Sequence, residues 1–455
     1  MMEPSNLTQS LQQLQATPLD VLEREIARGE RSGDLRAVLG DELAAELEHM
    51  AQIGSAQVLS AGERPLVVLL PGIIGSSLLN VIGDIGTIWL NPLALIAGKL
   101  RYLQLAPDGL RDASPLVQIV ASGLIPTHYL AIQLYLKILG GCDVLGFPFD
   151  WRRTPDLAVE ALRQLVVGQF AQSGRKIHLV GHSMGGLVAR NFCLRYPAEA
   201  AQSVAQIIQL GTPNYGSCEP IRNLTVGSDT GRLAARLNAA NAPLELMRSC
   251  PGLYAMLPAP AELYPADAPL PYPYRGDMDY YQASAYSSAQ VSSAHIQAAR
   301  AGYAWLAQAG ALPVPTTIIA GYALPTCLGV VRVDGAPGFD FAACTSADGD
   351  GTVPLASATA LPGATRLYAR GLAHGDLPGA LRVQRAVRAL IVGETVDMLE
   401  HAPYSMVLGD TDVERPGPGQ PAPGTLSDAD LDAIAARIRA GQATPQDVQV
   451  LAGGW

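Results

Sequence analysis

The stretch G-H-S-M-G-G (181–186) constrains what this chain can fold into more than any other. An apolar run, K-I-H-L-V (176–180), leads into it, and a helix-like run (187–196) leaves it and stops at Pro197. Strand, sharp turn and helix in that order are the context of a nucleophile elbow, a turn too tight for ordinary side chains nearby. Gly181 and Gly185 remove the β-carbons that would collide, so Ser183 can project its hydroxyl from the top of a sheet. The N–H of Met184, opening the helix, points where an oxyanion would form. A bare G-x-S-x-G says little in a chain with 46 glycines, and an inert serine on a Gly-rich turn is the alternative; both flanks favour the elbow.

Around this turn the pattern alternates. P-L-V-V-L-L (65–70) is a continuous apolar run suited to a central parallel strand. The P-G-I-I-G loop (71–75) after it can present a second backbone donor, most simply the N–H of Ile73. Further strand-like runs lie near 142–149, 205–210, 315–321 and 365–370, with helices expected over 129–139, 156–170 and 381–391. Thr17-Pro18 and Thr154-Pro155 each read as an N-cap and first-turn pair. These elements predict an α/β protein with a mostly parallel central sheet flanked by helices.

Two regions break the alternation. Residues 83–126 contain an apolar, Trp-bearing run (88–96) that reads either as an interfacial patch touching lipid or as a buried subdomain. From 221 to 311 the chain is irregular, and an insertion of that length at the carboxyl edge of a sheet is a candidate cap or lid. Its tyrosines, Tyr264 and Tyr272 among them, either line an amphipathic acyl pocket or pack the cap onto the core. The expected division is a helical extension (1–62), a core (63–220 and 312–400, with an interfacial subdomain at 79–127), the cap (221–311), and a linker with a helical tail (401–455). Within that tail, 414–424 reads as linker, and S-D-A-D (427–430) has the form of a capping box.

Composition narrows the classes. With 49% hydrophobic and 16% charged residues the chain can bury a large core. A net charge of −10 and no long basic run argue against nucleic acid as a partner. Six cysteines without C-x-x-C spacing read as buried free thiols, with no metal site expected. The first ten residues have neither a basic nor an apolar leader-like run, which gives a cytoplasmic expectation. The weakly charged stretch 65–98 is interrupted by Pro71, Gly72, Asn91 and Pro92, so no spanning helix is expected there.

A serine hydroxyl needs a base to take its proton, and that base needs an acid to fix its tautomer. In α/β-hydrolases the order along the chain is Ser, acid, His. Of seven histidines, His49, His128 and His295 precede the candidate acids, His178 falls inside a strand, and His182 sits beside the nucleophile, pointing elsewhere. His401 lies beyond the closing helix, which leaves His374. For the acid, spacing alone does not separate Asp348 from Asp350 in D-G-D-G-T-V-P (348–354). A calcium turn in that loop would lack the further ligands of an EF-hand.

Five segments in order, L-L-P-G-I-I-G-S-S-L (69–78), P-F-D-W-R (148–152), G-H-S-M-G-G (181–186), D-G-D-G-T-V-P (348–354) and G-L-A-H-G (371–375), resemble the lecithin:cholesterol acyltransferase family of lipases and acyltransferases. L-Y-A-M-L-P (253–258) looks like a piece of that family's cap, and the likeness spans about 65–390. The resemblance implies an α/β-hydrolase fold, Asp350 as the acid, and the N–H groups of Ile73 and Met184 as oxyanion donors. It also implies a lipid-facing region around Trp89 and structural roles for Asp150 and Arg152. The expected function is a serine esterase cleaving or transferring acyl groups of lipid esters through an acyl-enzyme on Ser183, without a cofactor. A hydrolase of a soluble ester, thioester or amide is the rival, and a catalytically silent binding module is the rival of another class. Membrane-surface contact, and a protein partner for the terminal extensions, stay open.

Overall fold

Six strands carry the architecture: β1 (Leu66–Leu70), β2 (Asp143–Gly146), β3 (Ile177–His182), β4 (Val204–Leu210), β5 (Thr316–Tyr322) and β6 (Thr365–Arg370). They form one sheet in the order β6-β5-β4-β3-β1-β2, and every pairing in it is parallel. The computed structural model describes residues 4–56, 64–276, 278–286, 290–332, 339–341, 344–403 and 426–453. In β1 the unbroken apolar run is explained by burial on both faces: Leu66, Val68 and Leu70 enter one apolar cluster, Val67 and Leu69 the other. Helices such as Pro155–Ser173 and Met184–Arg195 cover the first face, and Pro126–Ile138 and Leu381–Val392 the second.

The amino-terminal region forms four helices, Pro4–Ala16, Leu19–Ala27, Ser32–Leu39 and Asp41–Ala56. Leu22, Ile26, Leu35 and Leu47 bury themselves in the cluster built on the Pro126–Ile138 helix. Thr154 is an N-cap as expected, its side chain accepting from the Asp156 N–H. Thr17 is not: its hydroxyl donates to the Gln13 carbonyl at 2.6 Å, finishing the preceding helix, and the next helix begins without a side-chain cap.

Residues 76–124 hold a three-stranded antiparallel sheet, with Ser76–Asn80 between Gly86–Trp89 and Ile119–Leu124. Between β4 and β5 run the helices Glu219–Thr225, Asp229–Leu237, Pro243–Arg248, Pro251–Tyr254 and Ser293–Gln308. Their buried side chains join the same apolar cluster as one face of the sheet. The segment between β5 and Asp350 adds short antiparallel pairs, Thr326–Cys327 with Thr345–Ser346 and Val331–Arg332 with Phe339–Asp340, that the sequence pattern did not announce. The carboxyl-terminal helices, Asp428–Ala440 and Pro445–Leu451, dock on the body: Arg232 and Arg236 pair with Asp428, and Leu431, Ile434 and Ile438 are buried. Ser427 forms the expected capping box with Asp430. The expected linker, 414–424, lies outside the described residues. Five cysteines, Cys142, Cys193, Cys218, Cys250 and Cys327, are buried thiols. Among the described residues no helix is long and apolar enough to cross a membrane.

Candidate active site

The loops that leave the carboxyl ends of β1, β3, β5 and β6 converge on one edge of the sheet, where ligands of open parallel sheets bind. Ser183 follows β3 directly, with φ 52° and ψ −123°, a backbone conformation side chains rarely adopt. Glycines make room for it. A β-carbon on Gly181 would come 2.6 Å from the Gly186 Cα, and one on Gly185 would come 2.4 Å from the Leu70 carbonyl oxygen. The Ser183 N–H donates to the Leu210 carbonyl at 2.9 Å, tying the elbow to β4.

The acid and base pair is explicit. His374 Nδ1 lies 2.8 Å from Asp350 Oδ2, and both residues are buried. Asp350 Oδ1 accepts the N–H groups of Thr352 (3.1 Å) and Val353 (2.7 Å), which fixes the carboxylate plane. The His374 N–H donates to the Asp350 carbonyl at 2.9 Å. An ionised carboxylate only accepts, so Nδ1 carries the proton, and in a neutral ring Nε2 keeps the basic lone pair. Asp348 takes no part in this pair: its carboxylate accepts from the Ser346 hydroxyl at 3.1 Å and closes its own turn. Gly211, at φ 57°, leaves space against the pair; a β-carbon there would come 3.0 Å from both Asp350 Oδ2 and His374 Nδ1.

Ser183 and His374 line a narrow cleft of about 30 Å³ together with Gly72 and Ile73. Apolar Pro220, Leu253 and Met256 also line it, as does Glu219, whose carboxylate pairs with Arg222 at 3.2 Å. Met184 is the first residue of its helix, so its N–H belongs to the orphan donors of a helix start. The Gly72 carbonyl accepts the Gly75 N–H at 3.1 Å. In a trans peptide the N–H points opposite to the carbonyl, so this bond turns the Ile73 N–H away from Gly75.

Three expected substrate contacts sit elsewhere. Trp89 is buried: its indole N–H donates to the Ile74 carbonyl at 2.7 Å, and its ring meets Trp151 edge-on at 6.2 Å. The Tyr264 hydroxyl bonds the Ala356 carbonyl at 3.0 Å, and the Tyr272 hydroxyl donates to the Ala259 carbonyl at 2.8 Å. Neither tyrosine is among the residues lining the cleft. Irregular backbone between β4 and β5 leaves carbonyls without ladder partners, and tyrosines satisfy several of them: Tyr264 also reaches the Leu270 carbonyl at 3.1 Å, Tyr272 that of Ala259, and Tyr303 that of Leu257 at 2.7 Å.

His182, expected to point elsewhere, instead lines the cleft and lies against His374 with ring centroids 4.9 Å apart. Tyr129, which the sequence did not single out, bonds it at 2.8 Å. Asp150 and Arg152 form a buried ion pair with two contacts, 2.8 and 2.7 Å, to which Arg152 adds Asp112 at 2.9 Å and the Leu103 carbonyl at 2.7 Å.

An all-parallel sheet with serine on a strained strand–helix turn and an Asp–His pair on the same edge defines an α/β-hydrolase fold with a Ser–His–Asp arrangement. Residues 140–275 match the family model of lecithin:cholesterol acyltransferase. Over that stretch the chain is similar to the lecithin:cholesterol acyltransferase family. It is 29% identical over 214 residues to phosphatidylcholine-sterol acyltransferase of Rattus norvegicus, covering 38% of this chain and 48% of the relative. It is 25% identical over 217 residues to lysosomal phospholipase A and acyltransferase of Canis lupus familiaris, covering 38% and 52%. The chain thus spans about half the length of the curated relatives it matches. Among solved structures, a chain of the Tle4–Tli4 complex aligns over 73% of this chain and 99% of its own, at 16% identity and a TM-score of 0.48. The mature lipase BlEst2 of Bacillus licheniformis aligns over 73% and 94%, at 14% identity and a TM-score of 0.38. The cytoplasmic expectation is corrected by these relatives, since phospholipases named as lysosomal are among them.

Proposed function

We propose that this chain is a serine hydrolase of lipid carboxylic esters, passing the acyl group to water or to an alcohol. His374 Nε2 takes the Ser183 proton as Oγ attacks the ester carbonyl. The N–H groups of Ile73 and Met184 receive the oxyanion, and Asp350 holds the imidazolium that forms. Collapse expels the substrate alcohol, which takes its proton from His374. Water or a second alcohol, deprotonated by the same His374, then attacks the acyl-enzyme and releases Ser183. The observation that carries this reading is the 2.8 Å Asp350–His374 pair sharing a cleft edge with Ser183 in its strained turn.

Lipid as the substrate class is supported by the names of the relatives and by the apolar wall of Pro220, Leu253 and Met256. A cleft of about 30 Å³ is far too small for an acyl chain, so the proposed cap, 221–311, moves for substrate to enter. Contact with a lipid surface falls on the proposed interfacial subdomain, 79–127, through Ile85, Leu93 and Leu116, which are 68%, 54% and 69% exposed.

The test is hydrolysis of p-nitrophenyl esters of rising chain length and of phosphatidylcholine vesicles, alongside Ser183→Ala and fluorophosphonate labelling. Activity that rises with chain length, and that falls by on the order of 10³-fold or more in the variant, supports the reading. Preference for short soluble esters would transfer the reading to a small-molecule esterase. A folded protein with neither turnover nor labelling would refute a serine hydrolase.

A further inference from the structure

We propose that Tyr129 and His182 form a one-way hydrogen-bond relay that positions the oxyanion loop against the main chain of His374, making both of them positioning residues for the reaction proposed above. Three buried bonds compose it. The Gly72 N–H donates to the Tyr129 hydroxyl at 2.7 Å, that hydroxyl lies 2.8 Å from His182 Nδ1, and His182 Nε2 lies 3.0 Å from the His374 carbonyl oxygen. The proton positions are forced. A carbonyl only accepts, so His182 Nε2 carries a hydrogen. In the neutral ring Nδ1 then accepts, so the Tyr129 O–H donates to it while its oxygen takes the Gly72 N–H. Every donor has one acceptor, and the direction runs from the loop after β1 to the loop after β6.

A protonated His182 would place an N–H against the Tyr129 oxygen and leave the tyrosine proton without a partner. Burial also lowers the His182 pKa well below its usual range, and the adjoining His374 opposes a second charge. Burial pushes the Tyr129 hydroxyl upward, so it stays protonated. The ring facing His374 at 4.9 Å is therefore neutral when His374 becomes cationic in the reaction. The relay fixes Gly72, and through the Gly72–Ile73 peptide it fixes the donor that receives the oxyanion. A misplacement of about 1 Å in such a group can cost on the order of 10²-fold in rate.

Because this inference rests on the serine-hydrolase reading, its test has an arm that needs no turnover. In ¹⁵N-histidine-labelled protein, with the resonances of His182 identified by their loss in His182→Asn, the expected signature is an Nε2–H tautomer that does not titrate between pH 5 and 8. An Nδ1–H tautomer, or titration near the usual histidine range, overturns the relay even if the enzyme is active. In the kinetic arm, Tyr129→Phe is expected to lower kcat on the order of 10-fold or more with KM within about twofold, because the interaction supports the transition state. His182→Asn, whose carbonyl oxygen can replace Nδ1 as acceptor, is expected to retain more activity than His182→Leu. Tyr129→Phe combined with His182→Leu should be no worse than the poorer single variant. Additive losses, an unchanged kcat, or a loss carried by KM alone would overturn the relay. Absence of turnover in the wild type would instead strike the functional reading.

Discussion

The Trp89 indole donates its N–H to the Ile74 carbonyl at 2.7 Å, so the three-stranded sheet grips the loop that follows β1. Ile74 itself has φ 54°, a left-handed conformation that a β-branched residue rarely holds unaided. The Gly75 N–H to Gly72 carbonyl bond closes the same turn from inside. The relay through Tyr129 holds one side of this loop and the indole the other. The region expected to face lipid thus places its tryptophan inward, as a buttress of the site.

Trp89→Phe should therefore act on the loop without emptying the core. A phenyl ring keeps part of the edge contact with Trp151 but leaves the buried Ile74 carbonyl without its donor. The expected cost is about 1–3 kcal/mol in urea unfolding, with kcat reduced more than KM is raised. Equal effects on a long and a short ester would agree with a positioning role, whereas a loss confined to long chains would restore the lipid-contact role.

How much of this was visible in the sequence follows from range along the chain. The elbow and the parallel strands rest on local pattern and the choice of His374 on chain order, so they were legible, whereas spacing left Asp348 and Asp350 level and only the family resemblance favoured Asp350. The relay links residues 57, 53 and 192 positions apart, and neither Tyr129 nor His182 carries a local mark of its partner. The two Thr-Pro pairs make the same point at short range. Thr154 follows a loop and is free to cap, whereas Thr17 ends a helix whose Gln13 carbonyl claims its hydroxyl. Tyr264 and Tyr272 could be placed in the irregular insertion but not aimed, because which backbone carbonyls lack partners is decided only by the packed fold.

Arg152 should be the most sensitive charged position outside the site. Its side chain is fully buried and carries Asp150, Asp112 and the Leu103 carbonyl at once. Arg152→Met takes the cation from Asp112 and leaves Asp150 to Arg153 alone, and should destabilise by about 3 kcal/mol, the lower end of what breaking a buried pair costs. Arg152→Lys should recover little, since one ammonium cannot reproduce the paired contacts to Asp150 and the reach to Leu103. Chemical denaturation of the three proteins reads both expectations.

Ile85 and Leu116 offer a direct check on the proposed lipid contact. Both are about two-thirds exposed and so contribute little to the core. Ile85→Asp with Leu116→Asp should leave the melting temperature and short-ester hydrolysis nearly unchanged, while binding to phosphatidylcholine vesicles falls several-fold as apolar area is withdrawn from the interface. Undiminished vesicle binding in a flotation assay would move the contact surface away from the subdomain.

Stability should fall as the medium becomes acidic, well before the carboxylates titrate. Burial lowers the pKa of His128, His178, His182 and His295 from the usual 6.5. Below pH 6.5 the unfolded chain takes up protons at these positions that the native state refuses, so protonation favours unfolding. Above about pH 7.5 neither state binds them and the contribution is at its full value. Each histidine that stays neutral in the fold contributes a slope of about 1.4 kcal/mol per pH unit below its unfolded pKa. His182 is held neutral by its burial and by the adjoining His374, against the pull of its bond to the His374 carbonyl, so His182→Asn should flatten the acid limb by about one proton's worth while lowering stability at pH 8. Urea midpoints between pH 5 and 8 for the two proteins would measure this; an identical slope in both would mean that His182 is protonated in the native state over that range.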